Sequence, residues 1–416
     1  MRKPAVRRTG SLLAAIDIGT TKVVCFIARR DVKGPKILGI GHQISRGIRN
    51  GLIVDLDAAA TSMLNAVHAA EQMAGETVSQ VVVSLSNGFP GSRIVPVEIP
   101  IGGRAIGDTD MKRVLNHGHA HRETADRQII HSIPVGFSID GGTGVRDPRG
   151  MYGDRLAVNM HIVSASIAAV RNIVTAVGRC HLEVAGMIVS PYAAGLSALV
   201  EDELELGATL IDMGGGATSI AVFYDGSIVF ADTVPVGGTH ITNDIARGLV
   251  TPIAHAERMK TLYGSATPSA SDERETIGVH GVGEDEAPAT NVPKSHLVGI
   301  IAPRVEETLE LVRDRLEKSG FDRLAGRQVV LTGGASQLPG TRELAAMILD
   351  KQVRLGKPLR VTGLAEATQG PAFAVTAGLL HFAAFETAEL RGREFDPAST
   401  APGVLGRFGN WLRDNL

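Results

Sequence analysis

Charge of one sign is not in excess: 42 Lys+Arg stand against 44 Asp+Glu in 416 residues, a net of −2. Without a basic surplus nothing neutralises a run of phosphates, so general nucleic-acid binding is not expected. Cysteine is scarce. Cys25 and Cys180, both in apolar context, are the only two, which argues against a disulfide framework and for a reducing cytosol. No apolar run reaches the roughly 18 residues that a membrane-crossing helix needs. The nearest case, 184–200, carries Ser190 and Pro191 and reads as strand, turn and helix. The basic start, MRKPAVRR, is followed by SLLAAI, which stops at Asp17 with no cleavage site; residues 1–10 read as a loose tail, not a signal peptide. Two phosphate-binding signatures are also missing. The only Gly-Lys pair, 356–357, precedes Pro358, so there is no P-loop, and no GxGxxG follows a strand.

What is present is a repeated device. Residues 14–22 read AAIDIGTTK and residues 209–218 read TLIDMGGGAT, each followed by a second apolar run. Asp17 and Asp212 are 212 − 17 = 195 positions apart, each in an I-D-x-G frame. Gly19, Gly214, Gly215 and Gly216 leave a hairpin tip open to close approach, so backbone amides can cradle an anion. Thr20, Thr21 and Thr218 add hydroxyls, and Lys22 adds a charge. A carboxylate beside phosphate is repelled unless a Mg²⁺ ion lies between, held largely through water. Asp17 and Asp212 are therefore expected to face each other across a triphosphate and to orient metal-bound or attacking water. A third turn, Gly333-Gly334-Ala335 after the strand VVLT, reads as strand, glycine turn and helix, and fits packing against a base or sugar.

A chain of this length holds two large domains or four small ones. Apolar runs alternate with helical patterns, which predicts an α/β fold. Strands are expected around 13–30, 36–45, 80–86 and 206–236, and helices over 57–74, 239–262, 294–319 and 371–388. Residues 87–164 differ in texture, being polar and rich in His and Arg, and read as an inserted α+β unit. Its HGHAH stretch (His117, His119, His121) has no Cys partner and no Glu at catalytic spacing, so a solvated helix is expected there rather than a metal site.

Hairpin, hairpin and GG-turn, in that order, resemble the two phosphate motifs and the adenosine motif of the actin/Hsp70/sugar-kinase ATPase superfamily. The resemblance implies two lobes with duplicated mixed five-stranded sheets and ATP with Mg²⁺ in the cleft. It also implies adenosine contact from a helical Glu-x-x-Lys, here Glu257 and Lys260, whose i, i+3 spacing puts both on one helix face. The insert narrows the resemblance. IIHSIP, the DGGTG turn, DPRGMYGDRL and a histidine in the next strand are similar to FtsA, the actin-like bacterial cell-division family, as is VPVGGTHITNDIA after the second hairpin. That likeness implies subdomain 1A (11–86 and 165–205), 1C (87–164), 2A (206–243 and 305–390) and 2B (244–304).

Residues 391–403 read as a linker and 404–416, VLGRFGNWLRDNL, as an amphipathic helix. Leu405, Phe408, Trp411 and Leu412 form an apolar stripe flanked by Arg407 and Arg413, a pattern suited to lying in an anionic membrane surface. One copy binds weakly; several copies in a polymer bind tightly through effective concentration.

The resemblance therefore implies an ATP-binding, self-assembling peripheral adaptor at the cytoplasmic face of the inner membrane. It would hold the C-terminal peptide of FtsZ, with Arg304 as the expected contact, and meet downstream divisome membrane proteins through 1C. ATP is expected to regulate assembly, with at most weak hydrolysis. A pilus-assembly ATPase of the same fold stays open, as does an actin-fold sugar kinase, although no substrate-facing base can be placed.

Overall fold

The computed structural model describes residues 10–86, 88–283 and 289–385. The chain starts with three strands joined by tight turns, β1 (Leu12–Ile18), β2 (Lys22–Asp31) and β3 (Gly34–Ile44). β1 is buried on both faces beyond its first residue, as a continuous apolar run inside a covered sheet must be. The short pair β4 (Ile48–Arg49) and β5 (Leu52–Ile53) leads into α1 (Leu56–Ala74) and β6 (Gln80–Leu85). Asp55 starts α1: its carboxylate accepts from the N–H groups of Asp57 at 3.0 Å and Ala58 at 3.1 Å, two donors that the helix itself leaves unpaired.

The insert holds β7 (Gly91–Pro100), α2 (Asp108–His119), β8 (Arg127–Ile139), β9 (Gly142–Val145) and β10 (Arg155–Ser166). Its strands form an antiparallel sheet in the order β7-β10-β8-β9. It has its own core, built from Ile99, Val114, Leu156, Val158 and Met160 among others. The HGHAH histidines fall at the end of α2 and just after it. Among the described residues no cluster of His, Cys, Asp or Glu is arranged to hold a metal.

The chain returns to the first lobe through α3 (Ile167–Arg179), β11 (Glu183–Val189) and α4 (Ser190–Ala198). The second lobe then follows: α5 (Glu201–Leu206), β12 (Ala208–Met213), β13 (Thr218–Tyr224), β14 (Ser227–Val234), α6 (Gly238–Gly248), α7 (Ile253–Tyr263), β15 (Thr276–Val279), β16 (Thr290–Pro293), α8 (Lys294–Ser319), β17 (Gln328–Thr332), α9 (Thr341–Leu349), β18 (Gln352–Leu355) and α10 (Ala374–Phe385).

The two large sheets repeat one topology. The first runs β3-β2-β1-β6-β11 and the second β14-β13-β12-β17-β18. In each, the three hairpin strands are antiparallel and the last two are parallel. The duplicated five-stranded sheets and the small inserted domain match the two-lobed architecture that the sequence resemblance implies. α4 and α10 pack together between the sheets, and one hydrophobic core runs from Ile16 and Val83 through Ala193 and Leu379 to Leu210 and Phe223. The helices touch so closely that a Cβ on Gly378 would lie 1.6 Å from the Ala193 carbonyl oxygen; only glycine fits there. Both cysteines are buried and free.

Three elements differ in detail from the sequence reading. The helix expected over 239–262 is two helices, because Pro252 cannot continue α6 and Val250 turns the chain at φ 48°. The GG-turn starts only a 3-10 turn, Ala335–Gln337, before Pro339 and Gly340 delay α9 to Thr341. Likewise Pro371–Phe373 form a 3-10 turn ahead of α10. By contrast α8 runs unbroken through Pro303, losing only the backbone bond that residue 303 would have donated to Gly299.

Candidate functional site

Each hairpin makes the same turn. The Gly19 N–H donates to the Lys22 carbonyl at 3.1 Å, and the Gly214 N–H to the Ala217 carbonyl at 2.9 Å. Two residues earlier in each comes the carboxylate, at the buried end of β1 or β12. The tips meet across the lobes: a Cβ on Gly215 would lie 2.5 Å from Thr21 Cγ2, and one on Gly216 would lie 2.3 Å from Thr20 Oγ1.

One interlobe cleft gathers Asp17, Gly19, Thr20, Thr21, Lys22, Asp212, Gly214, Gly215, Gly216, Glu257, Lys260, Gly333, Gly334 and Ala335. Thr218 is not on its wall. Side chains alternate along β13, so Ser219 lines the cleft while the Thr218 hydroxyl donates to the Val236 carbonyl at 2.8 Å on the other face. Sequence reasoning missed Gly51, Ser86, Ala217, Ser219, Gly238, Ala372 and Val375. Gly238 lies in the VGGTH stretch and was legible there. Ala372 was not, because only the fold brings it to Lys22.

Arg304 lies away from this cleft on α8, where Nε donates to Asp244 Oδ2 at 2.5 Å and the guanidinium also pairs with Glu307. Leu405, Arg407, Phe408, Trp411, Leu412 and Arg413 lie outside the described residues. No described helix is long and apolar enough to cross a membrane.

Both aspartates are buried. Ser84 accepts the Ile18 N–H and donates to Asp17 Oδ1, each at 2.8 Å. Burial pushes the Asp17 carboxyl up, against the opposing pull of Lys22 and the Ser84 hydroxyl. Burial and the neighbouring Asp17 push Asp212 up to about 7. Lys22 lies between the lobes. Its Nζ donates to the Ala372 carbonyl at 2.5 Å and sits 3.9 Å from the Phe373 ring centroid, a cation–π geometry. Burial pulls its pKa down, and Asp17 and Asp212 hold it up.

Opposite the tips, Lys260 Nζ donates to Glu257 Oε2 at 2.7 Å, Thr242 Oγ1 at 2.8 Å and the Gly238 carbonyl at 3.1 Å. Gly333 has φ +84°, and a Cβ there would lie 2.6 Å from Asp212 Oδ1 and 2.3 Å from the Met213 carbonyl oxygen. Chemically, the cleft offers glycine walls open to an anion, the half-buried ammonium groups of Lys22 and Lys260, and two carboxylates whose shared burial favours a proton or a cation between them.

Known proteins agree with this architecture. A family model described as "Cell division protein FtsA" matches residues 209–378, and one described as "SHS2 domain inserted in FTSA" matches residues 91–164, the insert. "Cell division protein FtsA" of Rhizobium meliloti is 45% identical over 100% of this chain and 97% of the relative. The protein of the same description from Pseudomonas aeruginosa is 34% identical over 98% of this chain and 99% of the relative. Among solved structures, a chain of a PilM-PilN type IV pilus biogenesis complex superposes with TM-score 0.63 at 18% identity, covering 90% of this chain and 98% of that one. MreB5 of Spiroplasma citri bound to ADP gives 0.54 at 14%, covering 93% and 100%. A MamK double helical filament gives 0.50 at 12%, covering 89% and 98%. These structures share the fold, and the full-length sequence relatives decide the family: the chain belongs to the FtsA family of cell division proteins.

Proposed function

We propose that this protein binds ATP with Mg²⁺ in the interlobe cleft and works as a self-assembling membrane adaptor of cell division. The observation that carries the nucleotide reading is the convergence of three glycine turns, 19–22, 214–217 and 333–335, on one cleft with Lys22 and the two buried aspartates. The residues fit the ligand. The turns leave room where side chains would block phosphate. A divalent cation would supply the positive charge that Asp17 and Asp212 lack in their shared burial. Glu257 and Lys260 are held at the edge of the cleft to meet the sugar or base. The MreB5 structure of the same fold carries ADP, which supports this reading. The double helical filament of MamK, of the same fold, supports self-assembly.

The adaptor reading rests on the terminal amphipathic pattern. Each large apolar side chain contributes roughly 1.5–3 kcal/mol on insertion and each arginine near anionic lipid about 1 kcal/mol. A single tail is reversible, and a polymer multiplies it. The chain then acts at the cytoplasmic face of the inner membrane at the division site, anchoring FtsZ filaments and receiving downstream divisome proteins on the insert. Arg304 takes the acidic FtsZ peptide by exchanging Asp244 or Glu307 for it.

The test is pelleting with anionic vesicles and ATP, comparing the full chain with one ending at Glu394. Pelleting of the full chain alone is expected. If both stay soluble at high protein concentration, the membrane role is wrong.

A further inference from the structure

A second cavity lies on the far side of the hairpin tips, between the β4–β5 pair of the first lobe and α6 of the second. Thr20 lines both it and the cleft. The partition is thin: a Cβ on Gly216 would lie 2.3 Å from Thr20 Oγ1 and 2.6 Å from Asn50 Cα. Thr20 Oγ1 is held there by the Gly51 N–H at 2.8 Å.

The wall of this cavity is cationic. Arg49 comes from one lobe and Arg247 from the other, with His240 and Asn243 beside them and no carboxylate among the described lining residues. Among the described residues, neither guanidinium has an ion pair or side-chain hydrogen bond. Another cavity differs: there Arg313 and Arg327 share the wall with Glu317, Asp322 and Asp350. His240 adds a donor. Its Nδ1 accepts the Gly237 N–H at 3.1 Å, so the neutral ring carries its proton on Nε2.

We infer that this cavity is a second oxyanion site, taking inorganic phosphate next to the cleft but apart from it. Two guanidinium forks suit the oxygens of a tetrahedral oxyanion better than point charges do. With no carboxylate among the described residues of the wall, the anion meets no competitor from them. Because the arginines belong to different lobes, a bound phosphate replaces their mutual repulsion with a bridge. A long acidic peptide is the poorer occupant, since the charged groups converge on one recess rather than along a track.

The inference goes beyond the nucleotide reading and is tested beside it. The full chain is saturated with Mg²⁺ and a non-hydrolysable ATP analogue and then titrated with inorganic phosphate, followed by calorimetry and phosphorus NMR. Saturable phosphate binding is expected, weakened at least tenfold in the double variant Arg49→Gln/Arg247→Gln. Arg49→Lys/Arg247→Lys, which keeps charge but loses the forks, should fall between. Both side chains are exposed, and circular dichroism checks that the variants are folded.

Phosphate binding that vanishes once the analogue fills the cleft would assign the anion to the cleft and overturn the inference. So would equal binding by wild type and the glutamine variant, or binding of an acidic peptide with phosphate inert. Failure of the nucleotide reading shows separately, as no binding of the analogue. The phosphate titration is then run without it, and the same variants decide.

Discussion

Gly333 and Asp212 are mutually dependent: the backbone of one occupies the space against the carboxylate of the other. A Cβ at 333 would meet Asp212 Oδ1 at 2.6 Å from a backbone with φ +84°. Gly333→Ala therefore has to displace the carboxylate or the turn. We expect a loss of about 1–3 kcal/mol in stability from the strained backbone and at least tenfold weaker nucleotide binding. Denaturant unfolding and a fluorescent-nucleotide titration check both. Unchanged binding would mean that Asp212 does not touch the ligand site.

Asp212 has an uncommon pH signature. Its folded pKa, about 7, lies above its ordinary value of 3.8. The folded state thus binds the extra proton between about pH 4 and 7, and this group's contribution to stability falls as pH rises through that window. His161 and His381 act in the opposite sense. Burial pulls them down to about 3 and about 4, so their contribution is lost as pH falls below the ordinary histidine value. The difference between wild type and Asp212→Asn isolates the first effect. The variant should gain stability relative to wild type as pH rises from 5 to 7.5 in ligand-free protein. A flat difference would show that the carboxyl is ionised throughout.

The same proton competes with a divalent cation. Mg²⁺-dependent nucleotide affinity should rise with pH across about 6 to 8 and level off once Asp212 is ionised. The rise should be absent in Asp212→Asn, whose overall affinity is lower. Titrations at fixed ionic strength with and without Mg²⁺ separate the metal from the phosphates.

Ser84 holds Asp17 from outside the cleft lining. It accepts the Ile18 N–H and donates to Asp17, so Ser84→Ala orphans a buried donor and frees the carboxylate. The expected loss is about 1–3 kcal/mol, with a shift in the pH dependence of nucleotide binding that a merely structural role would not produce. Ser84→Thr should restore most of both.

Arg354 ties the second lobe's edge strand to the chain leaving the first lobe. Its guanidinium donates to Glu203 Oε1 at 2.7 Å and Oε2 at 2.5 Å and to the Ala198 carbonyl at 2.8 Å. Glu203 in turn accepts the Val200 N–H at 3.0 Å. Arg354→Ala leaves a half-buried carboxylate without its cation, and a loss of about 1–3 kcal/mol is expected. Thermal unfolding of this variant and Glu203→Gln, singly and together, should show strong non-additivity.

Much of the protein is legible one residue at a time. The two I-D-x-G frames and the GG-turn stand out in the sequence, and their resemblance to the ATPase superfamily is what implies a duplicated α/β fold. α8 spans 294–319 as the sequence predicts, since apolar periodicity survives one proline. The polar, His- and Arg-rich texture read over 87–164 contains the inserted domain matched at 91–164.

Other features depend on packing between distant segments, which local pattern does not encode. Thr218 was read as a cleft donor because it stands in the motif, yet strand alternation turns it away and presents Ser219. Phe373 and the Ala372 carbonyl reach Lys22 only because α10 passes between the two sheets. The raised pKa of Asp212 comes from Asp17 in the other lobe, 195 positions earlier. Arg49 and Arg247 look like ordinary surface arginines until the lobes bring them to one cavity. The sequence by itself determined most of the elements and the chemistry that the glycine turns can carry. Only the tertiary structure decided which charges share a buried space, because desolvation and Coulomb interaction depend on distance through space and not along the chain.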